Sequence, residues 1–349
     1  MRQYWAIGAT LEQLNWWARQ KTKPAYVMEP WRQKEEYPVV VEDAFQSGEK
    51  PVFPRVYVQA ARRQCRPPAE RGELYGDAQS GEEALEGITF ETHSQGRLKV
   101  WRRPGDDYGG LLEEELRHGP IQRRYCAFSD VGPGQSADAD YSWTRVVDRA
   151  PVLFGGWPEV VADWRGHDDP DRYAWIAARL CRWYETAFWA IEVNTYQADK
   201  PTDERAPDYG QTVMNEVKGT YPAGQMYHRK VWDKETQEHT RKVGWHTTKK
   251  NRQVLLSAAQ KRLRGIYQEQ TESEPAPDAA YVERNDRACQ ELSVFQYIDG
   301  KARAPDGKKD DGVIATGGAL HLHDELPPPE PAEPERAEAE PTATPAVSI

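Results

Sequence analysis

Acidic residues stand at three places where carboxylate chemistry could be assembled: Asp130, Glu192, and the adjacent Asp310 and Asp311. Asp130 closes a short apolar run, Arg124–Ser129, and precedes the Gly/Pro loop VGPG at 131–134. Glu192 lies inside AFWAIEV, residues 187–193, which is otherwise apolar. In an extended strand its side chain points opposite to those of Ile191 and Val193. A carboxylate there must meet water, a partner or a metal, because burying it unpaired is costly. Asp310 and Asp311 open a helical run of small residues, where an acidic side chain caps the helix and complements its positive end. Taken singly, each has a structural explanation: a cap for Asp310 or Asp311, a turn for Asp130. Taken together, a strand-end Asp, a mid-sheet Glu and a helix-start Asp pair can converge on one edge of a sheet. Three or four oxygen ligands with open positions suit Mg²⁺ or Mn²⁺. Two such ions about 4 Å apart would activate a water and stabilise the leaving oxygen of a phosphodiester.

The elements that must position these residues can be read in order. Arg124–Ser129 predicts a first strand, Tyr141–Asp148 an alternating second, and Glu159–Trp164 a third. Asp169 followed by Pro170 predicts a helix start, and the apolar spacing of Trp175, Ile176, Ala178, Leu180 and Trp183 carries that helix over 171–185. Residues 187–193 then predict a buried fourth strand. Residues 224–248 predict strands joined by a charged turn, and Thr248 caps a helix over 249–263. A short helix and strand follow in 281–299, and a final helix spans 310–323. This is an α/β plan with a mixed central sheet whose first strands form a meander. Residues 104–120 read as a loop or insertion.

Of the net charge of −10, residues 324–349 contribute −6, with seven acidic residues against one Arg. The preceding 323 residues therefore carry only −4, which leaves room for a local basic groove. The seven prolines of 325–349 and the alternating acids predict a disordered acidic Pro-rich tail over 324–349. The cysteines at 65, 126, 181 and 289 show no zinc-like spacing, which fits a reducing compartment. Cys126 and Cys181 fall in apolar segments and are expected to be buried thiols. With no signal-like h-region and no membrane-length apolar run, a cytoplasmic protein is expected.

Between His228 and Arg252, eight Lys/Arg residues face three acidic ones, with Trp232 and Trp245 interleaved. This predicts a hairpin that contacts DNA phosphates through Arg229, Lys230, Arg241, Lys242, Lys249 and Lys250. The competing reading is a solvated hairpin with buried Trp. His167-Asp168-Asp169 has the look of a ligand cluster, but Pro170 behind it favours helix capping. His321 and His323 are two apart at a helix end and do not share a face.

At the acidic positions the sequence resembles the C-terminal nuclease domain of the large terminase subunit of tailed bacteriophages. RLKVWRRP (97–104) resembles the segment leading into that domain. YCAFSDVGPG followed by DADYSWTRVVD resembles its first catalytic strand, Gly loop and second strand. AIEVN, VGWHTTKKNRQVLL, ELSVFQY and KKDDGVIATGGAL follow in family order, over roughly residues 97–323. The resemblance implies an RNase H-like mixed central sheet flanked by helices. It implies Asp130, Glu192, Asp310 and Asp311 as catalytic metal ligands, with Asp140 as a further acidic position. Two departures are visible: Lys309 stands where a His often precedes the Asp pair, and Thr195 and Tyr196 follow the Glu-x-Asn stretch in place of Gly.

EEYPVVVEDAF (35–45) resembles a stretch at the end of the family's ATPase domain, yet no GxxxxGK(S/T) occurs in the chain. The expected organisation is an ATPase-side remnant or linker over 1–96, the nuclease domain over 97–323, and the tail. Trp-rich sequence near residues 5–31 would face a separately encoded or missing ATPase motor. The implied activity is a two-metal endonuclease that cuts concatemeric phage DNA in the host cytoplasm, without P-loop ATPase activity of its own. Its implied partners are double-stranded DNA, portal, small terminase subunit and motor, with no membrane. The alternatives are an RNase H-like resolvase or transposase, and a non-catalytic DNA-binding packaging component. The Glu-Tyr-Pro and Gly-Trp-x-Thr stretches speak against the first, and the full set of acidic positions against the second.

Overall fold

The segment Tyr125–Asp130 has no charged side chain until its last residue, and every residue before Asp130 is buried. Such a strand can only be central, covered on both faces. The computed structural model, which describes residues 10–24, 36–37, 50–134, 140–193, 209–233, 237–271 and 280–332, builds the chain around it.

Helix α1 (Leu11–Gln20) starts on a capping box between Thr10 and Gln13. Strand β1 (Lys50–Pro51) and helix α2 (Arg55–Arg62) precede the main sheet. Strands β2 (Glu70–Tyr75), β3 (Thr89–Thr92) and β4 (Leu98–Val100) follow. Residues 104–120 form the expected loop, apart from one helical turn, α3 (Glu113–Leu116). Next come β5 (Tyr125–Asp130), β6 (Ser142–Asp148), β7 (Glu159–Gly166), helix α4 (Pro170–Trp183) and β8 (Phe188–Ile191). Helix α5 (Tyr209–Val217) leads to the hairpin β9 (His228–Asp233) and β10 (Glu238–Val243). The chain continues through α6 (Lys249–Thr271), α7 (Asp286–Val294), β11 (Gln296–Ile298), β12 (Lys301–Arg303) and α8 (Asp311–Glu325).

The seven-stranded sheet runs β3-β2-β4-β7-β6-β5-β8. Strands β5, β6 and β7 form an antiparallel meander, and β8 returns parallel to β5 after the α4 crossover. That strand order, with helices on both faces, is the RNase H-like mixed α/β arrangement expected from the sequence. Strands β2 to β4 extend the same sheet, so the boundary expected at residue 97 cuts through it. These strands are short and partly exposed, with β3 at the sheet edge, and they carry no long apolar run to announce them.

Alternation in β5 divides the core. Tyr125 and Ala127 pack with α4 residues such as Tyr173 and Ala177, whereas Cys126 and Phe128 pack with Leu255, Leu256 and Val313 of α6 and α8. Asp130 continues the Phe128 side. Along β8 and its extension, Ile191 and Val193 belong to the α4 side, so Glu192 emerges on the side of Asp130. Helix α8 lies hard against the sheet. A Cβ added at Gly318 would come within 2.2 Å of the Phe128 ring, so only glycine permits this approach.

Beneath α8 a buried polar network joins four elements. Arg145 of β6 is bonded to Asp163 of β7 at 2.8 Å, to Glu283 at 2.8 Å and to Thr316 of α8 at 2.6 Å. Asn285, the N-cap of α7, adds a bond to Asp163 at 2.8 Å. The network fixes the height of α7 and α8 over the sheet. At the chain's far end, α8 runs past the expected limit at residue 323. Arg149 donates to the carbonyls of Leu326 and Pro327, and Gln122 and Glu330 exchange backbone bonds of 2.7 and 3.0 Å. The first residues of the expected tail are therefore ordered against the domain, and 333–349 lie outside the described residues. Among the described residues, no helix is long and apolar enough to cross a membrane.

Candidate active site

The parallel register Ser129↔Ile191 puts the ends of β5 and β8 side by side. Glu192 is held there by its own backbone: its N–H donates to Ser129 O at 2.9 Å, and it bridges to Trp245 in the segment after the hairpin. That segment crosses closely because Gly244, at φ +85°, has no side chain to collide with Val193. Helix α8 begins at the same end of the sheet. Asp310 occupies its N-cap position, but the carboxylate turns away from the capping role to accept from Arg252 at 2.6 Å. Asp311, the first helical residue, is buried and accepts from the Tyr141 N–H at 3.2 Å.

Asp130, Asp140, Glu192, Asp310 and Asp311 all line one cleft of about 110 Å³, with Thr247 and Arg252. Each acidic residue singled out in the sequence is thus brought to one place by β5, β8, the loop before β6, and α8. The electrostatics show the cost. Burial pushes the Asp130 carboxyl well above the usual range, and the charges of Glu192 and Asp311 add to it. Glu192 is raised by burial, while hydrogen bonds from Thr247 and Asp130 and the charge of Arg252 oppose this. Burial raises Asp310 as well, against the pull of Arg252. Asp311 is pushed up to about 8, first by burial and then by Glu291, Asp140 and Asp310. Carboxylates crowded this closely hold protons between them unless a cation takes their place.

The protein supplies some of that positive charge itself. Lys309 donates to Asp140 at 2.8 Å, and Arg165 lies 3.6 Å from both Asp311 and Glu291. With these side chains so placed, no group of three or more His, Cys, Asp or Glu among the described residues encloses a metal ion as it stands. The donor chemistry nevertheless fits a hard divalent cation: the acidic groups offer only oxygen, and their raised protonation marks an unbalanced negative field.

Sequence reasoning missed several contributors. Asp163 and Arg165 are charged residues on one face of β7, alternating with the buried Ala162 and Trp164, and that alternation is a readable signal. Glu291 accepts from the Gly312 N–H at 2.7 Å and so anchors the start of α8, which nothing in its local sequence announces. Thr247 and the pairing of Arg252 with Asp310 depend on the chain crossing after Gly244.

The six residues expected to contact DNA are treated unequally. In the hairpin, Lys230 pairs with Arg241 and Trp232 with His239, which gives one exposed face with a half-exposed Trp232. Lys242 and Lys250 are also exposed. Arg229 donates to the carbonyls of Val243 and Gly244 and so braces its own hairpin. The side chain of Lys249 lies outside the described residues, as do Asn194, Thr195, Tyr196 and most of 35–45. Trp245 is buried.

Other sequence features have structural roles. Asp169 takes the N-cap position of α4, without a side-chain capping bond, and Asp168 pairs with Arg97. His323 accepts from Arg149, and His321 packs on Trp245. Cys126 and Cys181 are buried free thiols, and Cys65 and Cys289, remote in sequence, meet at 3.7 Å.

No family model matches the chain, and no curated relative does. Among solved structures, the chain is similar to the large terminase nuclease from thermophilic phage G20c with bound magnesium, at 13% identity over 78% of this chain and 98% of that one, TM-score 0.42. The same nuclease with bound cobalt aligns with the same figures.

Proposed function

We propose that this chain is a divalent-metal-dependent DNA endonuclease of phage genome packaging, the cutting part of a large terminase. The observation that carries the reading is the convergence of Asp130, Glu192, Asp310 and Asp311, from one strand end, one strand extension and one helix start, on a single cleft. Asp140 joins them at the rim. Mg²⁺ or Mn²⁺, two ions in this reading, would be held by these carboxylates and would supply Lewis-acid activation of water and charge neutralisation at the phosphodiester. The chain's own residues do the rest. Asp130 and Glu192 sit on rigid strands and define the floor. Arg252, Arg165 and Lys309 offset part of the acidic charge and hold the carboxylates in place. The exposed Lys230, Arg241, Lys242 and Lys250 supply cationic surface for the DNA backbone. The substrate is double-stranded concatemeric DNA; portal, small subunit and a separate ATPase motor are the partners, and the host cytoplasm the setting.

The internal ion pairs of the cleft favour one competing reading, a DNA-binding packaging component whose carboxylates are neutralised from within. Plasmid cleavage with Mn²⁺ separates the two. Asp130→Ala is expected to abolish cleavage while DNA binding persists. Equal cutting by wild type and D130A removes the proposed site, and binding without cutting by both favours the non-catalytic component.

A further inference from the structure

The sheet face that carries Asp130 has a second cleft at its other side. Lys99 of β4 stands opposite Asp163 of β7, which stands opposite Arg145 of β6, so Lys99 lies on the α7/α8 side, across β7 and β6 from β5. Arg71 of β2 is the next neighbour in register. With Arg62, Arg66, Arg284 and Arg287 these residues line a cleft of about 520 Å³. The first turn of α7 forms one wall, while Glu291 further along α7 reaches the start of α8, so α7 stands between this cleft and the carboxylate site.

The six cations are not equally engaged. Arg62 is bonded to Asp286 at 2.6 Å, Arg284 to Glu159 at 2.6 Å, and Arg287 to Glu291 at 3.0 Å. Arg66 reaches the same Glu159 at 3.5 Å. Among the described residues, the side chains of Arg71 and Lys99 make no ion pair or hydrogen bond. The carboxylate nearest Lys99 in register, Asp163, is already held by Arg145, Trp143 and Asn285. Burial draws the Lys99 ammonium below its usual range; Asp163 opposes this, and Arg71 adds to it. Arg66 is lowered by burial and then by Arg284. Positive charge is therefore concentrated here beyond what the fold neutralises.

We propose that this cleft is an anion site that takes a phosphate group, with Arg71 and Lys99 as its principal donors. A phosphate spreads its charge over several oxygens and can meet donors from different walls at once: Arg71 and Lys99 from the sheet, Arg66 from the loop after α2, and Arg287 from α7. Trp101 and Pro67 give the cleft an apolar side. The inference concerns groups separate from the carboxylate cleft and does not rest on nuclease activity.

Calorimetric titration of the full chain with inorganic phosphate, deoxyadenosine monophosphate and a short oligo-dT strand tests it. Arg71→Gln changes an exposed side chain on a partly exposed strand, and Lys99→Gln provides a second variant. Binding of at least one probe, weakened about tenfold or more in both R71Q and K99Q, supports the site. Binding of phosphate itself points to a free phosphate or phosphomonoester; binding of the oligonucleotide alone points to a strand phosphodiester. No binding of any probe at millimolar concentration, or equal binding by wild type and both variants, overturns the proposal.

Discussion

Replacing Asp311 with Asn tests the electrostatics of the carboxylate cleft while nearly preserving shape. Its carboxyl sits at about 8 against an ordinary 3.8, because it is buried beside Glu291, Asp140 and Asp310. The folded chain therefore holds this proton more tightly than the unfolded chain does. The associated stability is complete below about pH 4 and is lost as pH rises toward about 8. At ~1.4 kcal/mol per pH unit the whole difference is on the order of 6 kcal/mol. Neighbouring carboxyls that take up protons over the same range relieve part of the repulsion, so about 2–3 kcal/mol is expected for Asp311 itself. In chelated buffer, wild type should lose that much between about pH 5 and pH 8. Asp311→Asn, neutral throughout, should keep it and melt about 3–5 °C higher than wild type at pH 8. Denaturant midpoints and thermal melting across this range, with chelator present, provide the assay. Parallel pH curves for the two proteins, or a variant less stable than wild type at pH 8, would refute the reasoning. Added Mn²⁺ should then raise the melting point of wild type at pH 8 and raise that of D311N less.

The buried network beneath the site gives a second expectation. Arg145→Met strands Asp163 and Glu283 without their cation and should cost about 3–5 kcal/mol in a denaturant titration; a loss under about 1 kcal/mol would show that the network contributes little. Gly318→Ala forces a methyl group into the Phe128 ring and should destabilise by about 1–3 kcal/mol, even though Ala favours helix. A neutral or stabilising result would mean that α8 stands off the sheet. Charge reversal at Lys230 and Arg241 should weaken DNA binding and reduce the slope of log K against log salt by about two. An unchanged slope would remove the hairpin from the DNA interface.

Much of the site's scaffold was legible because its signals are local. The apolar run before Asp130, Glu192 alone among apolar neighbours, and Pro170 after Asp169 each depend on a few adjacent residues and on strand or helix periodicity. That is why β5 to β8, α4 and α8 lie close to where the sequence puts them. Strands β2 and β3 leave no such signal because both are partly exposed and β3 is the sheet edge, so neither needs a continuous apolar pattern. The end of α8 was set too early because Arg149, remote in sequence, holds the chain beyond it.

The sequence by itself determined which carboxylates stood at element ends and on which side of a strand each would emerge. Only the tertiary structure decided that these positions share one cleft, that Arg252, Lys309 and Arg165 enter it as counter-charges, and that Arg71 and Lys99 meet in another. The reason is physical: side-chain direction follows from backbone periodicity over a few residues, whereas charge balance depends on partners brought together by strand order and crossovers. Asp310 shows the difference most plainly. Its sequence position marks a helix cap, and its carboxylate goes to an arginine far back in the chain.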